Sequence, residues 1–182
     1  MKLPSFRLTT ERLLIRSFVP DDAEQLYRMV TNEKESLRDY FPLTVENTYS
    51  LSATRKFVRW REEETKAGKS LFAGIFTADK AQLIGQLTVK DINWRVPKCE
   101  LGYFIVASER GKGFAPEALV SATEFCFSKA GMVKLLLRIE QTNRASIQVA
   151  GKCGYTCSGT LRNDFRGADG RLMDCEIWEK IN

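Results

Sequence analysis

Glu109-Arg110-Gly111-Lys112-Gly113-Phe114-Ala115 follows an apolar stretch at 100–106 and opens a helical one at 115–126. Glycines at 111 and 113 let backbone N–H groups converge without Cβ obstruction, and a helix N-terminus adds partial positive charge, so the turn is a ready cradle for a pyrophosphate. Arg110 and Lys112 add two cations. Two familiar phosphate loops do not fit: GxxxxGK lacks its Ser or Thr, and the third glycine of GxGxxG falls on Pro116. Pro116 suits a first helical turn, where its missing N–H costs nothing.

Downstream of this turn, Ala115, Ala118, Leu119, Ala122, Phe125 and Cys126 share one helical face that closes at Gly131. A strand over 133–139, a helix over 143–152 stopped by Gly154, and strands over 155–160 and 171–178 complete the chain. Upstream, 71–76, 83–89 and 100–106 read as strands, the first two joined by a turn at Ala78-Asp79-Lys80. A helix over about 45–67 carries Leu51, Phe57, Val58 and Trp60, and its Arg61-Glu62-Glu63-Glu64 run reads as a solvated face. Before it, Pro20-Asp21-Asp22 starts a helix whose stripe is Ala23, Leu26, Tyr27 and Val30, and Leu13-Leu14-Ile15 lies in a β-leaning stretch over 8–18. The order β-α-α-β-β-β-α-β-α-β-β predicts one α/β (α+β) domain over 1–182. Its sheet is mixed and mostly antiparallel, with about seven strands flanked by about four helices.

The chain has 182 residues, 28 Lys+Arg against 23 Asp+Glu, and no histidine. A Ser-His-Asp triad, a Cys-His dyad, a histidine base and a histidine metal ligand are therefore excluded. The cysteines at 99, 126, 153, 157 and 175 lack the paired spacing of a zinc tetrahedron and read as structural free thiols, so no metal is expected. The net charge of +5 is mild and unclustered, which indicates no nucleic-acid partner. Apolar runs fall far short of the roughly 18 residues of a membrane span. Pro4 and Arg7 interrupt any signal-like apolar region, so a cytoplasmic protein is expected.

R-G-x-G-x-A after a strand resembles the GNAT superfamily of acyl-CoA-dependent N-acetyltransferases, and the resemblance covers nearly the whole chain. It is most similar to the RimJ/RimL-like branch, through Leu8-Thr9-Thr10-Glu11-Arg12-Leu13-Leu14-Ile15-Arg16, Glu100-Leu101-Gly102-Tyr103, Asn143-Arg144-Ala145-Ser146, Cys153-Gly154-Tyr155 and Gly159-Thr160-Leu161-Arg162, in family order. The resemblance implies acetyl-CoA as co-substrate and direct transfer of its acetyl group to a primary amine, on a protein N-terminus or a small molecule. It also allows a homodimer. A non-catalytic acyl-CoA-binding module on the same fold is the alternative.

The resemblance implies that Tyr103, Phe104, Ile105 and Val106 offer backbone groups to the pantetheine arm. Amides of Arg110, Gly111, Lys112, Gly113, Phe114 and Ala115 would hold the pyrophosphate, and Asn143 and Ser146 would meet the cofactor from the next helix start. Asn143 also reads as an N-cap for that helix. Attack on a thioester needs a neutral amine, so a group must accept the ammonium proton, and without histidine a carboxylate is required. Glu100, in an apolar strand where desolvation favours the protonated form and at a position where the resemblance implies a catalytic glutamate, is the first candidate; Asp164 is the second, because the RimL-like resemblance implies an acid shortly after Leu161-Arg162. The tyrosine that many members carry seven residues after the Asn is Ala150 here, which leaves Ser146 as candidate acid or helix cap. Trp94 and Arg95 are candidates for the acceptor side.

Overall fold

The computed structural model describes residues 6–182, so residues 1–5, read above for a leader, lie outside the described residues. The strands are β1 (Arg7–Thr9), β2 (Leu13–Ser17), β3 (Leu71–Thr77), β4 (Leu83–Asn93), β5 (Lys98–Ile105), β6 (Lys134–Glu140), β7 (Thr156–Arg166) and β8 (Leu172–Ile181). The helices are α1 (Ala23–Asn32), α2 (Lys34–Leu37), α3 (Pro42–Asn47), α4 (Leu51–Lys66), α5 (Phe114–Ser128) and α6 (Arg144–Lys152). The strands form one sheet in the order β1-β2-β3-β4-β5-β6-β8-β7. Every neighbouring pair is antiparallel except β5 with β6. This is the mixed, mostly antiparallel α/β sheet that the order of elements predicts.

The counts differ from the reading for local reasons. The stretch 8–18 folds back on itself: Thr10 N donates to Leu13 O at 2.9 Å and Thr10 Oγ1 accepts from Leu13 N at 2.9 Å, so one expected strand is two. The helix expected over 45–67 is also two. Ser50 is extended (φ −151°, ψ 160°) and its side chain accepts from Ala53 N at 3.2 Å, so the chain stops after α3 and starts afresh as α4. The Arg61-Glu62-Glu63-Glu64 run is not uniformly solvated. Arg61 is buried, with its guanidinium over the Phe72 and Trp60 rings.

Two cores sit on opposite faces of the sheet. Leu101, Leu135, Leu137 and Ile139 pack with Leu119, Ala122 and Phe125 of α5 on one face, while Phe72, Phe76 and Phe104 pack with Leu26 of α1 and Phe57 of α4 on the other. Burial of such side chains contributes about 1.5–3 kcal/mol each. Of the stripe read as Ala23, Leu26, Tyr27 and Val30, all but Tyr27 are buried, and Met29 completes the buried face of α1. The parallel pair β5–β6 is the seam of the sheet. Only Lys98, Cys99 and Glu100 pair there, with Lys134, Leu135 and Leu136; beyond them the strands diverge, although β5 continues to Ile105 and β6 to Glu140.

Candidate active site

The divergence leaves a fork whose open end carries the chain's most distinctive turns. Residues 101–105 of β5 have no strand partner on the β6 side, so Tyr103, Phe104 and Ile105 border the fork and Val106 ends it. The glycine turn follows β5 directly, and Asn143 follows β6. Gly111 and Gly113 have φ of +77° and +85°, and Gly113 is the left-handed N-cap of α5 with no side-chain cap. Among the described residues, the backbone N–H groups of Gly111, Lys112, Gly113, Phe114 and Ala115 donate to no protein acceptor. Five adjacent free amides at a helix start, around glycines of positive φ, fit the pyrophosphate of acetyl-CoA. The Arg110 amide is turned inward to Ala107 O at 3.3 Å.

The turn is braced from two sides. Glu33, just past α1, accepts from Ala107 N at 2.8 Å and faces Arg110 Nη2 at 3.6 Å. Arg110 Nε donates to Ile105 O at 2.9 Å, and Lys112 Nζ meets Glu109 at 2.9 Å. The two cations expected to serve the phosphates are thus engaged within the protein, and the amides are what the turn offers an anion. From the other side, Arg12 Nη1 donates to Lys112 O at 2.9 Å and Arg12 Nε to Glu117 at 2.7 Å, while the Thr10 hydroxyl also donates to Glu117. Burial alone would push the Glu117 carboxyl up, but the bonds from Thr10 and Arg12 outweigh it and hold it below its ordinary range. Thr10 and Arg12 therefore brace the turn.

Asn143 caps α6, its Oδ1 accepting from Ser146 N at 3.1 Å. Ser146 is the capped residue, which corrects the expectation that its own hydroxyl closes the helix start. Asn143→Ala is expected to cost about 1 kcal/mol of stability, and Ser146→Ala to leave the melting temperature unchanged, in thermal melts of the two variants. The Tyr103 hydroxyl points at Ser146 O, at a long 3.5 Å, and burial pushes the phenol up to about 12. Ala150 is fully buried in the core. Trp94 and Arg95 lie in the turn after β4, which Asn93 Oδ1 holds by accepting from Arg95 N and Val96 N. That turn is at the closed end of the fork, away from the glycines.

The two carboxylates singled out as candidate bases share one arginine. Glu100 is 7% exposed, as its strand position suggests. Its surroundings are not simply apolar, for Lys90 Nζ stands at 2.9 Å and Arg138 Nε at 3.4 Å. Arg138 Nη1 in turn meets Asp164 at 2.6 Å. Cation fields of this kind oppose the desolvation on which the reading of Glu100 rested. Two residues further along β6, Glu140 is 8% exposed and makes no ion pair among the described residues. It accepts from the Thr142 hydroxyl. Tyr40, between α2 and α3, feels its charge: burial first, and then Glu140, raises the Tyr40 phenol. Asp39 Oδ1 accepts from Ala168 N at 2.9 Å, which ties that connection to the β7–β8 hairpin. Glu140 and Tyr40 escaped the sequence reading because one sits just past the strand read over 133–139 and the other in a connection, between the helices read from 20 and from about 45, to which no element was assigned.

A profile described as an acetyltransferase (GNAT) domain matches residues 12–156. The Escherichia coli [ribosomal protein uS5]-alanine N-acetyltransferase is 25% identical over 173 residues, 94% of this chain and 89% of its own. The crystal structure of a ribosomal-protein-S5-alanine acetyltransferase from Vibrio fischeri superposes with a TM-score of 0.88 at 16% identity, covering 98% of this chain and 97% of that one. RimL, a ribosomal alpha-N-protein acetyltransferase solved with coenzyme A, superposes with a TM-score of 0.87 at 20% identity, covering 97% and 98%.

Proposed function

From the premise that this chain belongs to the acetyltransferase (GNAT) family and is an acetyl-CoA-dependent N-acetyltransferase, we propose that its acceptor is the α-amino group of a peptide N-terminus. The observation that carries this reading is the fork. It runs from the free amides of the glycine turn toward the end of β6, where the Asp39–Ala168 hydrogen bond brings the α2–α3 connection to the β7–β8 hairpin, and an amine would enter from this opposite end. Acetyl-CoA supplies an activated acyl group. The chain's residues bind its pyrophosphate at the amides of Gly111, Lys112, Gly113, Phe114 and Ala115, and its pantetheine arm along 103–106, with Asn143 and Ser146 at the next helix start.

An α-amino group, with an ordinary pKa near 8, is neutral far more often than a lysine near 10.4, so a site without histidine favours it. The kinship with the uS5-alanine N-acetyltransferase supports the same acceptor class. Four buried free thiols and one exposed one suit a reducing compartment, which supports a cytoplasmic setting.

The test is a panel of peptides with free N-termini, the same peptides blocked at the N-terminus but bearing lysine, and polyamines, incubated with labelled acetyl-CoA and read by mass spectrometry. Label on the N-terminal residue of the free peptides is the expected result. Label on lysine or polyamine, with free N-termini untouched, would overturn the reading.

A further inference from the structure

We propose that Glu140 is the group that takes the proton from the acceptor ammonium, a role that rests on the transferase reading above. The backbone register puts Lys90, Glu100, Leu136, Arg138, Glu140 and Cys175 on one face of the sheet, because Lys90 pairs with Glu100, Glu100 with Leu136, and Glu140 with Cys175. Within this row the charges are unequally matched. Glu100 and Asp164 both close on Arg138, and Glu100 also on Lys90. Glu140 is as deeply buried as Glu100 and, among the described residues, closes on no cation. A buried carboxylate whose one side-chain hydrogen bond comes from the Thr142 hydroxyl is costly to a fold unless a further partner arrives.

The groups facing Glu140 from each packed element fit that role. Thr142 follows it on the chain and donates to Oε2. Tyr40 comes from the α2–α3 connection, and its phenol, raised first by burial and then by the charge of Glu140, stays protonated. Asp39 lies beside Tyr40 and Arg171 comes from the β7–β8 turn, both acting on the Tyr40 hydroxyl. From β8, the buried Cys175 thiol is pushed up to about 11, first by burial and then by Asp164, with Glu140 and Glu100 adding to it and Arg138 opposing. Cys175 thus marks where the ion chain and Glu140 converge.

An incoming ammonium replaces the missing cation. Its proton passes to a Glu140 oxygen, directly or through one water, which leaves a neutral amine. The amine nitrogen then forms its bond to the acyl carbon while the C–S bond breaks. The sulfur departs with the electron pair, and the second amine proton goes to it, giving amide and free thiol; Glu140 returns its proton to solvent. Lys90 and Arg138, which neutralise Glu100 and Asp164, hold those two as framework.

The experiment compares wild type, Glu140→Gln, Glu100→Gln, Asp164→Asn and Tyr40→Phe for kcat, KM of the acceptor peptide, acetyl-CoA affinity and the pH dependence of kcat. Glu140→Gln, nearly isosteric, is expected to lower kcat by about 10²- to 10⁴-fold and abolish the acidic limb, with acetyl-CoA affinity unchanged. Tyr40→Phe removes a polar hydroxyl from the surroundings of the carboxylate at a half-exposed position, so the limb should move to higher pH with the fold intact. This variant decides the matter if Glu140→Gln melts early. Activity of Glu140→Gln within threefold of wild type, an acidic limb lost only in Glu100→Gln or Asp164→Asn, or an unmoved limb in Tyr40→Phe would overturn the proposal. A wild type that transfers to no amine would fell the transferase reading and this one together, whereas an active wild type with an active Glu140→Gln fells this one alone.

Discussion

Gly113→Val is expected to abolish the thermal shift produced by acetyl-CoA while the apoprotein remains folded. In the wild type, acetyl-CoA at about 100 times its dissociation constant should stabilise the fold by about 2.7 kcal/mol. For a chain of this length that is a rise of about 5–10 °C in melting temperature. The variant acts twice on the same place. Gly113 holds φ at +85°, a left-handed conformation that a β-branched residue adopts only at a cost of about 1–3 kcal/mol. Its new Cβ would also stand 3.3 Å from Arg12 Nη2, on the arm that holds Lys112 O in place. The turn must then relax out of the conformation in which five amides converge. Differential scanning fluorimetry with and without millimolar acetyl-CoA reads the outcome. A wild type that does not shift, or that shifts equally with unrelated anions, would contradict the cradle.

Arg138→Met should lower the melting temperature by about 4–8 °C, the equivalent of about 2 kcal/mol. The guanidinium is the one group that meets both Glu100 and Asp164, and methionine keeps its bulk while removing its charge. Glu100, whose side chain is 8% exposed, would then depend on Lys90 alone. Breaking a buried pair from one side leaves a carboxylate short of compensation, which is worse than never having had the pair. A double variant with Glu100→Gln should recover part of the loss, because the two residues share one interaction and their effects do not add. Equal melting temperatures for Arg138→Met and wild type would mean that solvent screens the pair completely.

The glycine turn and both flanking elements were legible because each rests on a local rule: a short glycine pair, a proline in a first turn, an apolar stripe. The break between α3 and α4 was hidden by its own neighbours. Val45, Leu51, Phe57 and Val58 continue a plausible stripe across Ser50, and only the extended backbone there reveals a cap. Arg61 misled in the opposite way. Its sequence company is acidic, yet its long side chain reaches back over Phe72, a partner supplied by the sheet. The candidate site divided along the same line. Gly111, Gly113 and Asn143 carry backbone duties that spacing betrays, whereas the difference between Glu100, Asp164 and Glu140 is a matter of which cations stand opposite. Those come from β4 and β6, and no local pattern announces them.

The seam between β5 and β6 gives the sheet an unusual mechanical character. Three residue pairs hold its two halves edge to edge, and past them a strip of backbone on each side is left without a neighbour. An extended ligand with amide groups of its own, laid along that strip, takes the place of a rung. On the proposed binding mode the sheet would be completed by its substrate, and stiffness across the middle of the molecule would be borrowed on arrival and returned on departure.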